Sequence, residues 1–313
     1  MSSVNNKIEG KLQNQDGRVR LNSLAPKRIL TESNVVTVFS YLLIGLLSLI
    51  VLFPLMHVVS KAFSAEWAIN SGAVGIFPVD FQTIAMKSIL VSKNFLSAFG
   101  NSIFVTIVGT LCTLTLSAFT AYPLSMRNLP YMKGFLLLFV FTMYFGGGII
   151  PTYLLYHSYG ILNSRSVLIL PGLINVFHLL IIKNFYEDIP ESIIESAKVD
   201  GAGNLMIFLK FIVPLSKPVY ATIVVFTSVM LWNNYFDPMM YINSPGLQTL
   251  PLYLRDMIMK AQDIQAKALL LTDISAESIT AAAIVAATVP ILLVYPFMQR
   301  HFVKGMTIGS TKG

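Results

Sequence analysis

An all-α protein embedded in a membrane is the fold class this sequence predicts, and three observations predict it. Of its 313 residues, 55% are hydrophobic and only 12% are charged, with a mean hydropathy of +0.69. Soluble domains carry roughly 25% charged residues. Six apolar stretches approach or reach the roughly 20 residues that a helix needs to cross a bilayer. The net charge of +7 is spread over several polar segments rather than gathered on one face, so it reads as topology and not as a nucleic-acid surface. Cys112 is the only cysteine, which excludes an internal disulfide framework and a multi-cysteine metal site.

The six transmembrane helices are expected at 38–59, 99–122, 135–155, 167–182, 219–232 with an extension, and 279–297. The first follows a polar arm, residues 1–36, with no pattern of a cleaved signal. Between the spans lie an outer loop near 60–98, short turns near 124–133 and 157–165, a polar stretch over 183–218, and a second long loop near 235–278. A tail, 301–313, follows a six-helix transmembrane domain of residues 37–300. With the N-terminus inside, fifteen of the 22 lysines and arginines fall on inner segments and seven on outer ones of similar total length. Both termini and the 183–218 stretch are therefore expected to be cytoplasmic.

The spans are almost free of charge. Ion-coupled transporters bury ionisable groups at membrane depth, and here only His57 and His178 are on offer, near span ends. His157 and His301 complete a scattered set without ligand spacing, so no metal site is expected. No internal repeat marks inverted symmetry. No paired acids, nucleophile–base set or metal motif lies at a common membrane depth, which argues against an enzyme, and the absence of a G-x-x-x-x-G-K-[ST] phosphate loop argues against ATP hydrolysis by this chain.

Within 187–218 the residues describe a short helix, a corner and a second helix. Pro190 suits a helix start, with Glu191 in the first turn. Ile193, Ile194 and Ala197 share one face, and Glu191, Glu195 and Lys198 another. Asp200-Gly201 stops the helix, since Gly takes the left-handed conformation that ends one. Leu205, Phe208 and Ile212 should line one side of the second helix, which should finish before Pro214. Small residues at the corner would let another surface approach.

At these positions the chain resembles the permease subunits of ATP-binding-cassette importers, whose signature loop reads E-A-A-x-x-D-G-A-x(5)-F-x-x-I-x-L-P. Glu195, Ala197, Asp200, Gly201, Ala202, Phe208 and Pro214 match it, while Ser196, Phe211 and Val213 depart from it. The resemblance implies a type I ABC importer (MetI-like) permease fold in a bacterial plasma membrane. It also implies that Glu195, Ser196, Ala197, Asp200, Gly201, Ala202, Phe208 and Pro214 couple the chain to an ATPase. The implied partners are a second permease, two ATPase subunits that use ATP and Mg, and an extracytoplasmic solute-binding lipoprotein, with no cofactor held by this chain.

The likeness is nearest to the carbohydrate, maltose-type inner-membrane permeases, in the oligosaccharide subgroup, through Phe145–Tyr153 and the tail 304–313. Gly309, Lys312 and Gly313 would then contact the ATPases. Gly146, Gly147, Gly148 and Pro151 weaken a helix by roughly 1 kcal/mol per Gly and about 3 for the Pro. Irregular backbone in a membrane needs a protein or water-filled surround. With Tyr144 and Tyr153 beside them they are candidates for a saccharide path, close packing through small residues being the alternative. Trp232, Asn233 and Asn234 are further path candidates, with an interfacial role as the alternative. Permeases for amino acids, peptides or anions share the signature loop, and an ATP-independent secondary transporter is the reading from outside the class.

Overall fold

In a computed structural model of the chain, residues 29–126, 129–267 and 276–309 are described, and every regular element among them is a helix. The chain divides into two units at Phe53 and Pro54. In the first, helix α1 (Ile29–Ala62) starts ahead of the expected arm boundary at 36. Between Val36 and Phe53 its large apolar side chains, Phe39, Leu42, Ile44 and Leu49 among them, are exposed. A helix that is apolar all round belongs in lipid or against another chain.

The second unit is built along α4 (Lys93–Ser125), which follows two short helices, α2 (Glu66–Asn70) and α3 (Ile84–Val91). The Ser92 hydroxyl caps α4 by accepting the Phe95 N–H at 3.4 Å. With 33 residues, α4 extends for roughly 50 Å at the helical rise, beyond the roughly 30 Å of bilayer hydrocarbon. Small buried residues, Ser102, Thr110, Thr113 and Ser117, let neighbouring helices lie close to it. Gly109 does so most sharply, since a Cβ there would stand 2.6 Å from Cδ1 of Leu231.

Three crossings are bent pairs rather than straight helices. Helices α5 (Met132–Tyr144) and α6 (Ile149–Ser158) meet at 112°, and α7 (Ser166–Gly172) meets α8 (Val176–Glu187) at 45°. A polar elbow follows, formed by α9 (Glu191–Val199) and α10 (Asn204–Leu215), and α10 turns through 75° into α11 (Lys217–Asn233). Helices α12 (Phe236–Tyr241), α13 (Leu250–Lys267) and α14 (Ala276–Gly309) complete the chain. Among the described residues two helices, Val36–Ala62 and Lys93–Ser125, are long and apolar enough to cross unbroken, and each bent pair has the length and composition of one more broken span or of a re-entrant loop. The apolar segment Glu277–Leu293 stands where the sixth was expected.

Several expected boundaries move. The span at 135–155 breaks after Tyr144, because Gly148 adopts φ 85 and ψ 164, a conformation open only to glycine. Pro151 then falls in the first turn of α6, where its missing N–H costs nothing. The loops at 60–98 and 235–278 contain α2, α3, α12 and α13, and α4 begins at Lys93 rather than 99. The helix α14 runs on past position 301 to Gly309. Hydropathy finds the apolar middle of a helix, whereas its polar ends stay helical through capping and packing.

Buried clusters succeed one another along α4. Phe95 joins Ala62, Ile89, Leu250 and the alanines 281–283; Val105 joins Val167, Leu168 and Tyr241; Ala118, Ala121 and Leu124 join α8, the elbow and α11. At the end opposite the elbow, side chains fasten the connections. The Asn101 amide donates to the Gly246 and Gln248 carbonyls at 2.8 and 3.0 Å, and its oxygen accepts Nε of Arg165 at 3.0 Å. Asn163, itself at φ 53, accepts the N–H groups of Asn243 and Ser244.

Candidate functional site

The elbow follows from its sequence almost bond by bond. Pro190 caps α9 with φ −56, and Glu191 and Lys198 sit at the ends where the helix dipole favours their charges. Ser196 is tolerated inside the helix because its hydroxyl donates back to the Ser192 carbonyl at 2.7 Å. The helix ends in a Schellman motif. The Ala202 N–H bonds the Ala197 carbonyl at 2.9 Å, the Gly201 N–H bonds Lys198 at 3.0 Å, and Gly201 takes φ 80. Nothing lies within 4 Å of where a Gly201 side chain would begin, so the corner opens outward.

The second leg differs from expectation at two places. It does not stop before Pro214, because Phe208–Ile212 forms a π turn in which the Val213 N–H reaches the Phe208 carbonyl. The widened turn admits the Pro214 ring, and the helix continues to Leu215. Its buried side is Ile207, Phe208 and Ile212, while Leu205 is 62% exposed. The one-residue shift has the same cause: a π turn rotates the face away from 3.6 periodicity.

The eight coupling candidates therefore divide. Ala197 and Phe208 are buried and Ala202 is half-buried, so these anchor the elbow. Glu195, Ser196, Asp200, Gly201 and Pro214 are exposed at its surface. Beside them Val199 is 88% exposed, and Leu205, Met206 and Leu209 are also uncovered. Acidic, basic and apolar side chains are thus exposed together on the elbow.

Phe208 fills an aromatic socket that the sequence reading missed. Its ring lies 4.8 Å from Phe119, 5.0 Å from Tyr122 and 6.5 Å from Tyr186. Tyr186 also stands edge-on to Tyr122 and to Tyr220. The available signal was position: Tyr186 and Tyr220 lie one turn outside the elbow on each side. At the mouth of the elbow Lys183 pairs with Glu187 at 2.7 Å, one turn apart on α8.

The saccharide-path candidates do not form one cluster. Tyr144 is 75% exposed, and Gly146, Gly147 and Gly148 are exposed with it. Within this chain, a Cβ built on these glycines would meet at most Thr152 and Pro151 of α6, at 3.9 and 3.8 Å. Tyr153 instead stacks on Tyr241 at 6.3 Å inside the chain. Trp232 stands edge-on to Phe99 at 6.1 Å, half-buried. Asn234 closes a turn, donating to Asp237 Oδ2 at 2.6 Å and accepting the Asp237 N–H at 3.2 Å. Asn233 remains exposed, its amide on the Val229 carbonyl. Of the tail candidates, Gly309 ends α14, and Lys312 and Gly313 lie outside the described residues.

The comparisons with known proteins agree with this architecture. Residues 126–308 match the family described as "Binding-protein-dependent transport system inner membrane component". Protein LplC of Bacillus subtilis (strain 168) is 39% identical over 88% of this chain and 94% of its own length. The polygalacturonan/rhamnogalacturonan transport system permease protein YtcP of the same organism is also 39% identical, over 88% of this chain and 98% of its own. A crystal structure of a bacterial ABC transporter involved in the import of the acidic polysaccharide alginate contains a chain that superposes with a TM-score of 0.80. It is 31% identical, over 90% of this chain and 100% of that one. The family is one of transporter components, not enzymes. With its helical architecture, its bent crossings and a match over more than half its length, the chain belongs to the binding-protein-dependent transport system inner membrane components.

Proposed function

We propose that the chain is one of two permease subunits of an importer that carries an oligo- or polysaccharide into the cytoplasm, driven by separate ATP-binding-cassette ATPases. The observation that carries this reading is the elbow, buried at its root and exposed and part-apolar at its tip, where a motor subunit can seat. The charge bias of the connecting segments puts the elbow and both termini on the cytoplasmic side. ATP and Mg are handled by the ATPases, and an extracytoplasmic binding lipoprotein delivers the sugar. A saccharide is favoured by the relatives named for polygalacturonan/rhamnogalacturonan and alginate transport.

The second permease covers the α5–α6 break, whose irregular backbone and exposed Tyr144 and Phe145 would otherwise face lipid. Tyr144, the glycines 146–148 and Asn233 then border the route between the two subunits. Closure of the ATPases moves the elbow as a lever, and the crossings open alternately to either side. In a Cys112→Ala background, a Val199→Cys probe in right-side-out vesicles should resist an impermeant maleimide until the vesicles are opened. A bound ATPase should then protect it. Labelling of intact vesicles would overturn the assignment.

A further inference from the structure

Two phenol hydroxyls meet at the root of the elbow, where apolar rings would fill the same space. Tyr186 is in the last turn of α8, just before the chain enters the elbow, and Tyr220 is in the first turns of α11, just after it leaves. Their hydroxyls are hydrogen-bonded to each other, across 34 residues of chain. The Tyr186 hydroxyl also donates to the Ala118 carbonyl of α4 at 3.4 Å, which leaves Tyr220 as the donor in the pair. Tyr186 is 3% exposed and packs edge-on against Phe208, the elbow's own anchor.

We infer that Tyr186 and Tyr220 are positioning residues, a clamp that makes the elbow, α8 and α11 one mechanical body. Apart from it, the legs join the crossings through the chain at Asp188–Pro190 and the bend at Ser216, and through the apolar packing of Ala197, Ile207, Phe208 and Ile212. Apolar packing is non-directional, so it resists separation of the legs more than their rotation. The hydroxyl pair closes the loop of helices at its open end, and the bond to Ala118 ties that loop to α4. Rings alone would supply the packing around Phe208. Burying two hydroxyls adds a directional bond with little net stabilisation, because a mutually satisfied pair replaced by two apolar groups of like shape is nearly neutral. The pair therefore serves geometry more than stability.

This inference rests on the elbow being the ATPase seat, and the experiment separates the two. In the intact importer, with both permeases, the ATPases and the binding protein in nanodiscs, spin labels are placed at Val199→Cys on the elbow and Val229→Cys on α11, in the Cys112→Ala background. The distance distribution should be narrow in the resting state and after trapping with MgATP and vanadate. In Tyr186→Phe/Tyr220→Phe the assembled yield and melting temperature should hold. The population of splayed distances should rise by roughly fivefold, the factor corresponding to one hydrogen bond's net contribution, and ATP hydrolysis should no longer depend on the binding protein. Tyr220→Phe alone should do the same, since it keeps the Tyr186 bond to Ala118 and loses the tie between legs together with the Tyr220 contact to the Ser216 side chain. Unchanged distance distributions in both variants, or their failure to assemble, would overturn the clamp. Gly201→Val serves as the control: if it leaves ATPase recovery intact, the seat itself is misassigned.

Discussion

The Phe208 ring rests 5.0 Å from the ring of Tyr122, so the elbow's second leg is keyed to the end of α4. Both rings belong to a cluster with Phe119 and Tyr186, and Phe208 is 2% exposed. Phe208→Ala removes a buried aromatic and should cost about 3–5 kcal/mol. Leu205→Ser, three residues earlier but solvent-facing, should stay within about 0.5 kcal/mol while reducing recovery of the ATPase with the permease. Thermal melting in detergent and co-purification read the two effects separately.

Gly148 and Gly146 make opposite predictions two residues apart. Gly148→Ala forces a side chain into φ 85, at roughly 1–3 kcal/mol, and should disturb the α5–α6 bend and lower uptake. Gly146→Ala meets nothing within 4 Å and should be neutral to within about 0.5 kcal/mol. Equal losses in the two variants would show that bulk outside the chain, not backbone conformation, governs the site.

Gly109 and Leu231 set how closely α4 and α11 approach. Gly109→Ala displaces only the mobile end of Leu231 and should be mild, whereas Gly109→Leu overpacks the contact by about 1–3 kcal/mol. Leu231→Ala should recover part of that loss. A double-mutant cycle on melting temperature should report coupling of roughly 1 kcal/mol between the pair.

Asn101 holds two carbonyls of one connection and the guanidinium of another. Asn101→Ala strands the carbonyl oxygen of Gln248, leaves that of Gly246 to the Ser97 hydroxyl alone, and should cost about 1–3 kcal/mol. Hydrogen exchange should accelerate over residues 246–250 and leave the elbow unaffected. Asn101→Asp keeps the acceptor for Arg165 without the donors and should restore little.

Much of this protein was legible because its chemistry is local. The Asp200-Gly201 stop and the apolar face of Ile193, Ile194 and Ala197 follow from one residue's φ range or one turn's periodicity. The reading failed where distant groups decide. Leu205 was expected to be buried on 3.6 periodicity, but the π turn rotated Ile207 into its place. Pro214 was expected to end a helix that the same turn allowed to pass. The stacking of Tyr153 on Tyr241 likewise joins residues far apart in the chain.

Composition and hydropathy along the chain were enough to determine a helical membrane protein with a polar elbow between two apolar stretches, since lipid imposes helices on any apolar span and a glycine corner depends only on its own backbone. Which side chains hold that elbow came from the tertiary structure alone. Phe119, Tyr122, Tyr186, Phe208 and Tyr220 stand on four different helices, and no local preference of the backbone records that their rings will meet.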